Sequence, residues 1–460
     1  MSFATFKEPV GQTERYHQLS LPLVAFFCGY VVIWYLQIGD RITFLASIRF
    51  EFLYAATLSA IILLSASRQQ TGLTPIPLRT YLVAYFIVLM IQIPFSYNVE
   101  HSWNVFIDRV VKFSFMAWFI SFYVRSSRDM KLFLGAFLLA CMKLGQEGFA
   151  GLMTGSLMWE NQGIMRLHGP TPLYEHPNSF CGMALGTLPF IYYLFPSANK
   201  KEKAMLLLLL CFSLSIVLFS GSRTGYVGFF IFIIVLFSRS AGKGKFVVIS
   251  LVLAMLAVPH IPGQYVGRFS TIFTGHDKEG NSIGKREQIL LDSVNIFVEH
   301  PFGVGIQAFQ TVRMQQFGRS QDTHNLYLEV ATNLGIQGFL VFFLFVWQML
   351  RLLIRIEKDF LAILNRLTSM KKKVVHQGGG SLDNDISLMI VDGRFLKAVT
   401  SAVICFIWLR LALGLFGMDL YEIYWWFALG ITVALYRILY DYEKIVFDIL
   451  KANNLENSWE

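Results

Sequence analysis

Charge is what this chain has least of. Asp, Glu, Lys and Arg make up 15% of its 460 residues, while 55% are apolar and the mean hydropathy is +0.52. A water-soluble protein carries about 25% charged residues. The shortage excludes water as the solvent for most of the chain and leaves the bilayer. Also missing is any polar stretch long enough to fold by itself, so residues 1–460 read as one integral membrane domain and not as the several soluble domains that length alone suggests. Cysteine is scarce. Cys28, Cys141, Cys181, Cys211 and Cys405 all fall in apolar runs, none at Cys-x-x-Cys spacing, which argues against a thiolate metal site and for small buried hydrophobes. The first apolar run has no cleavage-site pattern, so it reads as a retained span rather than a signal peptide. Neither internal repeats nor low-complexity tracts are present.

The apolar runs define the architecture. A spanning helix needs roughly 17–25 mostly apolar residues. That test selects about twelve segments. They are Leu19 to Ile38, Phe44 to Ala66, Tyr81 to Phe95, Val105 to Val124, Leu132 to Met153, Ser179 to Phe195, Ala204 to Phe219, Tyr226 to Phe237, Phe246 to Val258, Leu326 to Leu350, Phe395 to Phe416 and Ile423 to Leu439. The expectation is an all-α polytopic membrane protein.

Basic residues orient it. With the N-terminus inside, the inside segments hold Lys7 and Arg15; Arg68 and Arg79; Arg125, Arg128 and Lys131; Lys200, Lys201 and Lys203; and Arg239, Lys243 and Lys245. The outside short loops hold Arg41, Arg166, Arg223 and little else, and residues 96–104 contain no Lys or Arg. An even number of spans returns the C-terminus to the inside. Two connections are long. Residues 259–323 form the outside one, with a helix-like stretch from Lys285 to Val298 and a turn at His300-Pro301-Phe302-Gly303-Val304-Gly305. Residues 351–394 form an inside basic loop with Lys371-Lys372-Lys373 and a flexible break at Gly378-Gly379-Gly380. The net charge of +9 sits mainly in such segments, so it reads as a topology signal and a contact for anionic membrane lipids, not as a nucleic-acid surface.

A guanidinium at the edge of hydrocarbon is costly without an anionic partner. The few outside cations therefore point to a negatively charged, membrane-borne ligand. Gly221-Ser222-Arg223-Thr224-Gly225 is a tight turn opening an apolar run. Its glycines allow close backbone approach, Ser222, Thr224 and the free N–H groups suit an anion, and Arg223 offers a planar fork for phosphate oxygens. The competing reading is an interfacial arginine snorkelling to water. Arg286, in Gly284-Lys285-Arg286-Glu287-Gln288, is either a second such fork or a loop-helix residue paired with Glu287 or Asp292. Thr323-His324-Asn325 ends the long outside loop, and Glu329 follows within the same apolar helix. An imidazole there can accept a proton from a hydroxyl, or simply cap the helix. Arg166-Leu167-His168-Gly169-Pro170 with Glu175-His176-Pro177-Asn178 leads into the next span; Glu175 and His176 can line a shared cavity, and Asn178 reads as a plain cap. Asp419 is a partner for one of the arginines. Lys112, Lys143 and Glu147 lie within apolar spans as structural pairs or cavity residues.

Three weaker patterns compete. Asp383-Asn384-Asp385 has a metal–nucleotide spacing but reads as a solvated cluster in a small loop. His276-Asp277 and Asp322-x-His324 lack a third ligand of suitable spacing, so no metal site is expected.

Arg166 with the His-Pro-Asn that follows, the Ser-Arg-Thr-Gly turn, Arg286 ahead of His300-Pro301-Phe302-Gly303-Val304-Gly305, and His324-Asn325 leading to Glu329, Gly335 and Gly338 occur in an order that resembles one superfamily. It is the O-antigen ligase and polymerase superfamily of bacterial surface polysaccharide synthesis, and the likeness runs from about Arg166 to Phe345. The resemblance implies a GT-C-like bundle in the bacterial inner membrane with a large periplasmic loop, residues 259–323, over the active site. It implies a metal-independent, inverting glycosyltransferase that needs no cofactor. The donor is a glycan on undecaprenyl diphosphate. The acceptor is either another repeat unit, for a polymerase, or lipid A–core, for a ligase; a polymerase is the favoured reading, and a chain-length regulator is a further expected partner. The family's essential arginines map onto Arg223 and Arg286 and its histidine onto His324, with Arg166, Ser222, Thr224, Glu175, His176, Asn325 and Asp419 around the substrate. A flippase for the lipid-linked sugar is the rival from another class. Paired half-repeats with broken midplane helices would mark it, and the polar residues gather instead at one membrane face.

Overall fold

The computed structural model of the chain describes residues 19–68, 77–161, 163–240, 242–244, 261–274, 282–376 and 380–452. Lys7, Arg15, Lys245, His276, Asp277, Gly378, Gly379 and the expected span Phe246 to Val258 lie outside the described residues.

Every other expected apolar run is helical, with the run Phe44 to Ala66 split between a short helix, Thr43–Ser47, and a longer one from Phe50. The elements are α1 (Leu21–Leu36), α2 (Phe50–Arg68), α3 (Arg79–Gln92) and α4 (Val99–Val105), which passes through a π-helical stretch (Phe106–Val111) into α5 (Lys112–Tyr123). Then come α6 (Ser127–Thr154), a hairpin of β1 (Met158–Asn161) and β2 (Ile164–Leu167), α7 (Pro177–Leu194), α8 (Lys200–Phe219) and α9 (Arg223–Arg239). The remainder is α10 (Gly263–Thr274), α11 (Ser282–Glu299), α12 (Phe309–Phe317), α13 (Leu326–His376), α14 (Gly380–Leu413) and α15 (Ile423–Ala452). Among the described residues, α6, α7, α8, α13, α14 and α15 are long and apolar enough to cross a membrane, and α1, α2 and α3 are shorter apolar helices. The fold is that of an all-α, multi-pass membrane protein.

Lipid offers no partner for backbone N–H and C=O groups, so helix is the available conformation for each apolar run. Polar caps mark where the helices begin. Ser126 accepts from Asp129 N ahead of α6, and Asn199 with Glu202 forms a reciprocal capping box ahead of α8. Helix α1 packs on α6, α5 on α15, α7 against α8 and α14, and α13 along α14. The charges inside apolar spans are paired: Glu147 takes Arg41 at 2.8 Å and Lys143 at 3.3 Å, and Lys112 pairs with Asp108.

Of the segment 351–394, expected as a loop, residues 351–376 and 380–394 are helical. They are the end of α13 and the start of α14, running antiparallel. A buried seam explains it: Leu353, Ile356, Phe360, Ile363, Leu367, Met370 and Val374 alternate at three- and four-residue steps, the seam of packed helices. They face buried Ile386, Met389 and Ile390 of α14 and Val446 of α15. Asp383 lies in the first turn of α14, 3.8 Å from Lys371, and not in a flexible loop.

The 51 residues of α13 hide a break at Gly335, whose φ of 69° and ψ of −171° are not helical. A break at membrane depth strands carbonyls that lipid cannot satisfy. The turn after α11 hooks into it. Val304 N donates to Thr332 O at 2.9 Å, Gly305 N to Asn333 O at 3.0 Å, and Ile336 N to Pro301 O at 2.9 Å. From α3, Gln92 Nε2 reaches Leu334 O at 3.1 Å. The hook fixes the first nine residues of α13, residues 326–334, against the turn that follows α11, the helix that carries Arg286. A Cβ at position 335 would collide with the Phe302 backbone, in a left-handed conformation that already strains any other residue. Gly335→Ala is therefore expected to cost about 2 kcal/mol or more. Thermal unfolding of the purified variant in detergent checks this; an unshifted midpoint contradicts it.

Candidate functional site

The turn between α8 and α9 is the centre of the site. Gly221 has φ 56°, which turns the chain back so that Ser222 can cap α9. Ser222 Oγ accepts from Gly225 N at 3.1 Å, and its side chain is buried. Arg223 and Thr224 thus occupy the first turn of α9, half-buried, where the helix dipole favours an anion.

Arg166 approaches the same turn from β2. It is 3% exposed, and its Nε donates to Ser220 O and its Nη2 to Asn178 Oδ1, both at 2.8 Å. Asn178, expected as a plain cap, is instead a side-chain partner of Arg166; the cap of α7 is His176, whose Nδ1 accepts from Asn178 N at 3.1 Å. From a third direction Arg268 of α10, 6% exposed, extends Nε to Gly221 O at 3.4 Å. Burial and the Arg268 charge, with a smaller push from Arg223, bring Arg166 down to about 10. Cations crowd here closely enough to oppose one another.

His324 sits at the other side of the site, exposed, just before α13. Its φ of 46° is left-handed, a conformation uncommon for any residue but glycine. Loss of hydration pushes its imidazole below the ordinary histidine range, and the Arg286 and Arg313 charges push further. His176 is depressed in the same way, by partial desolvation and then by Arg166 and His324. Through-space repulsion thus acts pairwise, between Arg223 and Arg166, Arg166 and His176, His176 and His324, and His324 and Arg286. Glu175 is exposed beside His176.

Other expected site residues hold the frame. Asn325 caps α13, its Oδ1 accepting from Tyr327 N at 2.9 Å and Leu328 N at 3.1 Å while Nδ2 donates to Leu415 O at 3.2 Å. Leu326 N donates to Gly414 O at 2.6 Å, and buried Glu329 accepts from Leu420 N at 3.2 Å. The loop between α14 and α15 is therefore pinned to the helix that follows His324. Asp419 in that loop lies 3.8 Å from Arg410. Burial raises its carboxyl and Arg410 opposes the rise. Arg410 also donates to Gly182 O at 2.8 Å and lies 3.3 Å over the Tyr424 ring, joining α14, α7 and α15. Asp322 accepts from Gln310, and burial raises its carboxyl. Arg313, 1% exposed, is held by Asp292 at 2.9 Å and Gln321 O at 3.0 Å.

Arg268, Arg410 and the Asn178 contact were not singled out in the sequence. Arg268 had a usable signal, since it follows Tyr265 on an amphipathic stretch of the long segment 259–323. Arg410 had the intramembrane arginine itself. Chemically, the cluster can bind a polyanion, and a neutral imidazole beside it can accept a proton.

Residues 206–343 match a family model described as O-antigen ligase. Comparison with curated proteins gives no match.

Proposed function

From the match of residues 206–343 to a family model described as O-antigen ligase, we propose that the chain belongs to the O-antigen ligase and polymerase superfamily and is an inverting, metal-independent glycosyltransferase of the bacterial inner membrane. It acts on a glycan carried by undecaprenyl diphosphate at the periplasmic face. About twelve spans keep both termini in the cytoplasm. Residues 259–323 cover the site from the periplasm, and residues 351–394 lie on the cytoplasmic side.

Arg223 and Arg286 hold the diphosphate and stabilise the charge that grows on it as the sugar–phosphate bond breaks. The acceptor hydroxyl attacks the anomeric carbon from the opposite face. His324 orients that hydroxyl and takes its proton, while the leaving undecaprenyl diphosphate keeps the bonding electron pair. Arg166, Thr224 and His176 line the donor side, with Ser222 and Glu175 near them; Asn325 and Asp419 support the acceptor side. The observation that carries this reading is the convergence of Arg166 and Arg268 on the turn that opens α9 at Arg223, with the exposed imidazole of His176 on the helix whose Asn178 binds Arg166.

Polymerisation of repeat units is the first reading for the acceptor. Ligation to lipid A–core is the second, favoured by the description of the matching family. Purified protein given lipid-linked repeats, with and without lipid A–core, decides it. Chain growth without core means polymerase, transfer only with core means ligase, and movement of donor across liposomes with no new glycosidic bond refutes both.

The depressed His324 gives a pH signature. Only neutral imidazole accepts a proton, so transfer rises with pH as His324 deprotonates. Because partial loss of hydration and two arginines favour the neutral form, the midpoint of the acid limb in kcat/KM is expected below about 6.5, the ordinary histidine value. A midpoint at or above that value contradicts the assigned role.

A further inference from the structure

We propose that Arg268 is a third guanidinium of the anion site, and that α10 is the clamp that closes it over a diphosphate. The inference rests on the anion-gripping role proposed above. Arg166 and Arg268 hold neighbouring carbonyls of one turn, Ser220 O at 2.8 Å and Gly221 O at 3.4 Å, from two different elements. Arg223 follows two residues later at the start of α9. Three guanidinium groups from β2, α9 and α10 therefore surround one turn, and two of them are more than nine-tenths buried.

The position of α10 is not incidental. Tyr265 Oη donates to Met165 O at 2.9 Å, beside Arg166. The Tyr265 ring stands edge-on to Phe219 at 5.3 Å, and Phe269 packs on Tyr226 at 6.0 Å. These contacts set α10 against both the hairpin and the α8–α9 turn, and they bring Arg268 in with it. Buried like charges oppose one another, as the depression of Arg166 by Arg268 reflects. A dense anion reverses that opposition. A phosphodiester headgroup has non-bridging oxygens for one planar fork, whereas a diphosphate has enough for several. Diphosphate is therefore the ligand class that matches three forks and a helix N-terminus.

The test uses the full-length protein and inorganic pyrophosphate as the probe. Titration calorimetry is expected to give weaker binding for Arg268→Gln by about ten- to a hundredfold, with Arg268→Lys between it and the wild type. Hydrogen exchange on the unmodified protein needs no folded variant: pyrophosphate is expected to slow exchange in residues 263–274. Unchanged affinity in folded Arg268→Gln, or unchanged exchange in α10, overturns the clamp. Nanodiscs with and without phosphatidylglycerol separate the two sources of phosphate. Equal pyrophosphate affinity in both supports the diphosphate, and binding abolished by phosphatidylglycerol assigns the site to a lipid headgroup and overturns it. Glycan transfer measured in parallel separates this inference from its premise. Arg268-dependent pyrophosphate binding in a wild type that transfers no glycan leaves the clamp standing and removes the enzyme reading; transfer without Arg268-dependent binding does the reverse.

Discussion

Arg223→Ala is expected to lower glycan transfer by about 10²–10³-fold, the usual cost of removing one preorganised charge-stabilising group. The expectation follows from where α9 begins. Arg223 occupies its first turn, where the helix dipole adds to the charge of the guanidinium in favouring an anion. The loss should appear in kcat more than in KM, because charge on the diphosphate increases as the bond breaks. Folding should survive. The cap of α9 is Ser222, which the substitution leaves in place, and Arg223 is only half-buried. A thermal midpoint near that of the wild type, with transfer reduced in purified protein, is the expected pair of results. Arg223→Lys keeps the charge but not the fork, so it should recover only part of the rate. Wild-type transfer by a stable Arg223→Ala removes this residue from the mechanism.

His324→Ala is expected to reduce transfer by about 10²–10⁴-fold, the span of a general acid–base contribution. Here the backbone supplies an internal control. A φ of 46° strains any residue but glycine, at a cost of about 1–3 kcal/mol. His324→Gly relieves that strain and should raise the unfolding midpoint while leaving transfer as low as His324→Ala. A purely structural His324 would respond in the opposite way, since the relaxed variant would then keep or gain activity. Neighbouring groups should not compensate. Asn325 remains the cap of α13, and Glu329 remains bound to Leu420 N at 3.2 Å. Transfer and thermal unfolding measured on the same preparations separate the two accounts.

Much of this protein was legible along the chain. Apolar runs of spanning length become helices because lipid leaves the backbone no other partner, and the runs, their caps and the Gly221–Gly225 turn are all local patterns. The loop reading of 351–394 missed a pattern that was present. Lys371-Lys372-Lys373 and the glycines drew attention to solvent, while the seam from Leu353 to Val374 repeats at helix-packing spacing beneath them. Asn178 was missed for a different reason. A capping residue and a ligand of Arg166 look alike in sequence, and only the approach of β2 to α7 tells them apart.

Composition and spacing alone determined that this is an all-α membrane protein with cations near a few helix ends, because burial in lipid and helix capping act over a few residues. Tertiary structure decided which cations meet. Arg166 reaches Ser220 across 54 residues, and Arg268 reaches Gly221 across 47. The turn at Phe302 hooks into a helix broken at Gly335. Charges interact through space and not along the chain, so their neighbours are set by how the helices pack.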